Sequence, residues 1–104
     1  MPSAFPQGHA SEIAALTVRY RLPAAYFNRA LVEAGSLMSY GNNISDNYRH
    51  AATFVDRILK GEKPGSLPVQ FPTKFELAIN LKAAKSLGLI IPPTLLATAD
   101  EVIE

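Results

Sequence analysis

His9 and His50 are the only histidines in this chain, and cysteine is absent. A zinc site needs three or four ligands at fixed spacing, and two isolated histidines do not supply them. Without cysteine there is no thiolate ligand, disulfide or thiol nucleophile. Ser39 in Met38-Ser39-Tyr40-Gly41 lacks the leading glycine of a Gly-x-Ser-x-Gly nucleophile elbow. No Gly-rich phosphate loop is present. Glu12, Glu33 and the pair Asp46 and Asp56 are spread over three helical segments, where caps, dipole partners and solvated side chains account for them. Asn43-Ile44-Ser45 fits the glycosylation acceptor pattern, a tripeptide common by chance. These residue types do not support an enzyme, and no cofactor or metal is expected.

Binding remains. Two segments offer aromatic faces beside amides and other polar groups: Tyr26-Phe27-Asn28-Arg29 and Ser39-Tyr40-Gly41-Asn42-Asn43. In open parallel sheets, ligands sit outside the carboxyl ends of the strands. Aromatic walls with a few fixed polar groups make a small-ligand pocket, and exposed N–H groups at helix starts favour a carboxylate. Each of these residues also has a plain structural use, as a core aromatic, a turn former or a cap.

The elements that must position them follow from periodicity and breakers. Residues 1–10, with Pro2, Pro6 and Gly8, read as a leading loop. Ser11 is a candidate N-cap for a helix carrying Ile13, Leu16 and Tyr20, stopped by Pro23 at about Leu22. Ala24–Phe27 reads as a buried strand, Asn28 caps a short helix from Arg29 to Ala34, and Gly35 takes the left-handed position after it. Leu37–Tyr40 is a second strand. The helix Ser45–Lys60 carries one apolar stripe of Tyr48, Ala51, Ala52, Val55, Ile58 and Leu59. Glu62–Pro72 is a Pro/Gly-rich connector in which Val69 and Phe71 suggest an edge strand. From Phe75 to Leu81 the apolar residues alternate as in a half-buried strand. Asn80 can cap a helix from Leu81 to Leu87, stopped by Gly88, and Pro93 suits the first turn of a last helix through Thr98.

The alternation of helices and strands predicts an α/β fold, a partial three-layer parallel sheet with flanking helices. A length of 104 residues suits one domain, residues 1–104, with 73–104 as its C-terminal strand and helices. Ten Lys and Arg against nine Asp and Glu leave a net charge of +1 without a basic block, which argues against nucleic acid as a partner. No apolar run approaches the ~20 residues of a membrane span. Met1–Ala10 has no basic stretch followed by an apolar one, so a signal peptide is not read there.

Longer stretches resemble a known family. They are Arg21-Leu22-Pro23-Ala24, Val32-Glu33-Ala34-Gly35, Leu37-Met38-Ser39-Tyr40-Gly41, the run from Ala51 to Gly61, the run from Pro72 to Lys82, and the close from Leu87 to Ala97. They are similar to the C-terminal part of ABC-transporter substrate-binding proteins, with the tryptophan/tyrosine-type periplasmic solute receptors as the nearest group. The resemblance implies one lobe of a type I periplasmic binding protein. Two such lobes close on a small solute, such as an aromatic amino acid, and deliver it to an ABC permease. It implies a periplasmic or cell-surface location for the full-length receptor, and an N-terminal lobe as this segment's partner. Carried over by position, Tyr26, Asn28, Arg29, Ser39, Tyr40, Gly41, Asn42 and Asn43 would face the cleft. Family members are much longer than this chain, so the expectation is a truncated fragment with an unpaired sheet edge, a template for strand addition. The alternative is a structural or interaction module without solute binding. The isolated chain is expected to form a homodimer or swap elements to cover that edge.

Overall fold

The computed structural model describes residues 3–104; the part of the expected leading loop at residues 1–2, including Pro2, lies outside them. The elements run α1 (Ala4–Gly8), α2 (Ala10–Arg19), β1 (Ala25–Tyr26), α3 (Arg29–Glu33), β2 (Met38–Asn42) and α4 (Ile44–Leu59). A 3-10 turn at Pro64–Ser66 follows, then β3 (Phe75–Asn80), α5 (Leu81–Ser86), α6 (Pro93–Thr98) and β4 (Glu101–Ile103). By their contacts the residues form two units: those up to Gly41 together with Glu76–Glu104, and Asn42–Phe75.

In the first unit the core is small and alanine-rich. Leu31 and Val32 of α3 have no exposed surface, and Ala14, Leu37, Ala78, Ile79, Ala83 and Ala84 are buried with them. Full burial of a side chain such as Leu31 or Ile79 contributes about 1.5–3 kcal/mol each. The strands lie in the order β1-β2-β3-β4. β1 runs parallel to β2, with Ala25 opposite Met38 and Tyr26 opposite Ser39. β3 runs parallel to β4, from Ala78 opposite Glu101 to Asn80 opposite Ile103. The central pair is antiparallel: the Asn80 N–H donates to Leu37 O at 2.8 Å and the Asn43 N–H to Lys74 O at 2.9 Å, so the partner steps backward as β2 advances. The α/β class holds, with parallel pairing on both flanks of an antiparallel centre.

Asn80 joins strand, helix and core. Its Oδ1 accepts from the Ala83 N–H at 3.0 Å, which caps α5, and its Nδ2 donates to Val32 O at 3.1 Å. Gly35, Gly61 and Gly88 follow α3, α4 and α5 at φ of 115°, 106° and 70°, the left-handed conformation that glycine adopts without a Cβ penalty.

Several expectations are corrected. The leading loop contains α1; Pro6 fits there because the first-turn N–H groups of a helix have no intrahelical partner. α2 begins at Ala10 with His9 before it, so Ser11 lies inside the first turn and is not the cap. α2 also ends at Arg19 rather than Leu22, because Arg21 turns left-handed at φ 51°. The strand expected at Ala24–Phe27 is two residues long and not buried, since it forms an edge of the sheet. No strand forms at Val69 or Phe71, which lie exposed in irregular chain. β4 was not anticipated.

In the second unit, Asn43 caps α4 by accepting the Asp46 N–H at 2.9 Å. Arg57 grips Glu62 just past the helix end, at 2.9–3.1 Å. Tyr48, Val55, Ile58 and Leu59 of the α4 stripe are exposed, and no residue of this helix is buried. Besides α4, Asn42–Phe75 holds the last residue of β2, the first of β3, the 3-10 turn and irregular connector.

Candidate functional site

Strand direction decides which chain ends meet. With β1 and β2 parallel, their carboxyl ends leave the sheet at the same edge. Because β3 opposes β2 and β4 follows β3, the starts of β3 and β4 arrive at that edge too. Tyr26, Asn28, Arg29, Tyr40 and Gly41 are therefore brought to one edge of the first unit.

Their environments differ. Tyr26 is half-buried and opposite Ser39. Ser39 is 1% exposed, closed to solvent on the covered face of the sheet, whereas Tyr40 points the other way and is 62% exposed. Asn28 uses its side-chain oxygen on the Ala30 N–H at the start of α3. Gly41 lies against β1: a Cβ built on it would stand 2.0 Å from Phe27 O, so only glycine allows this approach. Asn42 ends β2, and Asn43 opens α4 as its cap.

Arg29 is not an open cation. Its Nε lies 3.1 Å from Glu33 and its Nη1 lies 2.9 Å from Glu101 Oε2, the latter an ion pair without hydrogen-bond alignment. These groups are about half exposed, so solvent screens them and the pairs contribute little stability. Beside them is a groove of about 190 Å³ lined by Arg29, Glu76, Leu77, Ala78, Asp100 and Glu101. Asp100 and Leu77 lock its floor: the Leu77 N–H donates to Asp100 Oδ2 at 2.8 Å, and the Asp100 N–H to Leu77 O at 2.9 Å. This acidic side was not singled out in the sequence. Glu76 was visible on the wet face of a period-two strand, but no local signal ties Asp100 and Glu101 to Arg29.

The start of α4 is likewise occupied. Asp46 sits in its first turn, 3.7 Å from Lys74 Nζ and 3.8 Å from His50 Nε2. With this carboxylate and the Asn43 cap in place, the helix start already has its anion. Among the described residues no group of three or more His, Asp or Glu is placed to hold a metal ion, and no helix is long and apolar enough to cross a membrane.

A family model described as ABC transporter substrate binding protein matches residues 4–103. Three solved structures are similar. A conserved domain protein from Vibrio cholerae is 30% identical with a TM-score of 0.84, over 91% of this chain and 32% of that one. An ABC domain from Streptococcus pneumoniae in complex with L-Trp is 23% identical with a TM-score of 0.77, over 99% of this chain and 44% of that one. A substrate binding protein with adhesive properties from Clostridium difficile, in a ligand-free, open structure, is 20% identical with a TM-score of 0.61, over 94% of this chain and 32% of that one. The latter two show the fold alone. This chain therefore spans less than half the length of each. Among curated proteins none matches. The match of the family model, from the first turn of α1 to the end of β4, identifies the chain as a member of the ABC transporter substrate-binding protein family.

Proposed function

We propose that this chain supplies one wall of a solute cleft in an ABC importer's receptor, and that the wall is the edge where β1 and β2 end. The family is a non-catalytic, substrate-binding one. The observation that carries the reading is Tyr40, a large aromatic left 62% exposed at the carboxyl end of one of two parallel strands. Tyr26 and Asn28 stand on the neighbouring strand end and its turn. The proposed solute is an aromatic amino acid, because a ring stacks well on an exposed tyrosine and a structurally similar protein is a complex with L-Trp.

In this reading Tyr40 makes the ring contact, and Tyr26, on the sheet face it shares with Ser39, supports the strand end. Ser39 and Gly41 shape the strand, and Arg29 holds Glu33 and Glu101. Asn42 and Asn43 set the exit into α4. Delivery to a membrane permease, and work on the outer side of the cytoplasmic membrane, belong to the same proposal; the family typically acts there.

The chain has no tryptophan, so L-Trp fluorescence reports its own binding against a dark background. A single wall encloses little of the ligand, and the expected affinity is millimolar. Titrating L-Trp with the chain is expected to give a saturable blue shift, and Tyr40→Ala is expected to weaken it at least tenfold without loss of fold. An unchanged titration in Tyr40→Ala would move the site elsewhere. No shift at all would favour a structural module without solute binding.

A further inference from the structure

The second unit has no core of its own: no residue from Asn42 to Phe75 is buried. We propose that this segment belongs to the receptor's other lobe, and that the apolar stripe of α4 is the face by which it is seated there. This inference rests on the family membership and the receptor reading, and not on the solute wall.

The segment's own connector takes one flank of α4. Asn47, His50 and Phe54 line a groove with Gln70, Phe71 and Pro72, and Phe54 is half-buried there. The middle of the stripe lies on another face. Tyr48, Ala52, Val55 and Leu59 recur at spacings of four, three and four, centred about 130° round the helix from Phe54. No charged side chain interrupts this face, and its pattern is that of a helix surface meant for burial. Yet Tyr48 is 74%, Val55 54% and Leu59 82% exposed.

Chain length points to the cover. This chain spans 32% of the Vibrio cholerae protein and 44% of the Streptococcus pneumoniae one. The second alignment takes in 99% of this chain and the family model residues 4–103, so the matched part includes α4. The same helix therefore stands in much longer chains. A cover on the same chain meets the stripe at an effective concentration of about millimolar. A second copy gives up translational and rotational freedom to dock. The border of the stripe also offers a copy little to recognise, because Asp56 is already paired with Lys60 at 3.0 Å. The occupant is thus an uncharged, apolar face of the receptor's remaining chain.

Amide exchange is measured first on the full chain, at a concentration where sedimentation shows a monomer. Exchange in α4 is expected to run at least about a hundredfold faster than in α3 and β3, because an uncovered helix opens locally. Equal protection in the monomer overturns the proposal. The covered state is then built by setting this chain in place of the matched segment of the Vibrio cholerae protein. Val55→Lys is expected to leave the melting temperature of the chain alone unchanged, since Val55 is exposed there, and to lower that of the hybrid by at least about 5 °C. Thr53→Lys, away from the stripe, is expected to change neither. A hybrid indifferent to Val55→Lys overturns the proposal. So does a hybrid that dimerises through the stripe and loses the dimer on Val55→Lys, which would make a second copy the cover. The exchange measurement stands whether or not the hybrid folds. No solute enters either experiment, so the outcome is separate from the fate of the solute wall.

Discussion

Gly41 is the residue whose role changes most between sequence and structure. In the sequence it is one of several small polar or flexible residues after a strand. In the fold it lets the Phe27 carbonyl come close, and backbone cannot move aside as a flexible side chain can. Gly41→Ala is therefore expected to cost at least about 2 kcal/mol, read as a lower urea midpoint at unchanged slope. Asn80 makes a similar case from the other direction. Its cap of α5 was legible, because an asparagine stands between a period-two run and an apolar helix. Its second bond, to Val32 O, was not, because that partner is brought in by the sheet. Asn80→Ala removes both bonds at a buried site and is expected to cost about 2 kcal/mol. The same limit governs the candidate site. Tyr26, Asn28 and Tyr40 were legible from strand ends and turn residues, whereas the ion pairs that engage Arg29 were not.

Helices were legible where glycine or asparagine marks their ends, as with α3, α4 and α5. Boundaries slipped where tertiary structure decides. Pro23 gives no reason for α2 to stop at Arg19; the stop comes from Arg21 in a left-handed turn, with the Leu22 N–H donating to Thr17 O at 2.8 Å. A side chain at that φ is strained, so Arg21→Gly is expected to raise stability by up to about 1 kcal/mol, measured as a higher melting temperature. β4 has only three residues and becomes a strand by pairing with β3, so no local pattern announces it. α4 teaches the reverse. Its stripe was evident, but amphipathicity does not say what a helix packs against. Its cap gives a further check: Asn43→Ala is expected to cost about 1 kcal/mol and to fray the first turn in amide exchange.

At the scale of the molecule, alternating helices and strands gave the α/β class correctly. The direction of the central pair was beyond the pattern. A crossover through α4 suggests parallel strands, yet β3 returns antiparallel after the connector, and this places the starts of β3 and β4 beside the ends of β1 and β2. Acidic Glu76, Asp100 and Glu101 thereby stand at the same edge as Tyr40. That edge is the proposed solute wall. The most direct test follows the chain's backbone amides by NMR while aromatic amino acids are added. Saturable shifts are expected, confined to Tyr26–Arg29 and Ser39–Gly41 and their neighbours. A folded chain whose amides there stay unmoved at millimolar ligand would contradict this reading.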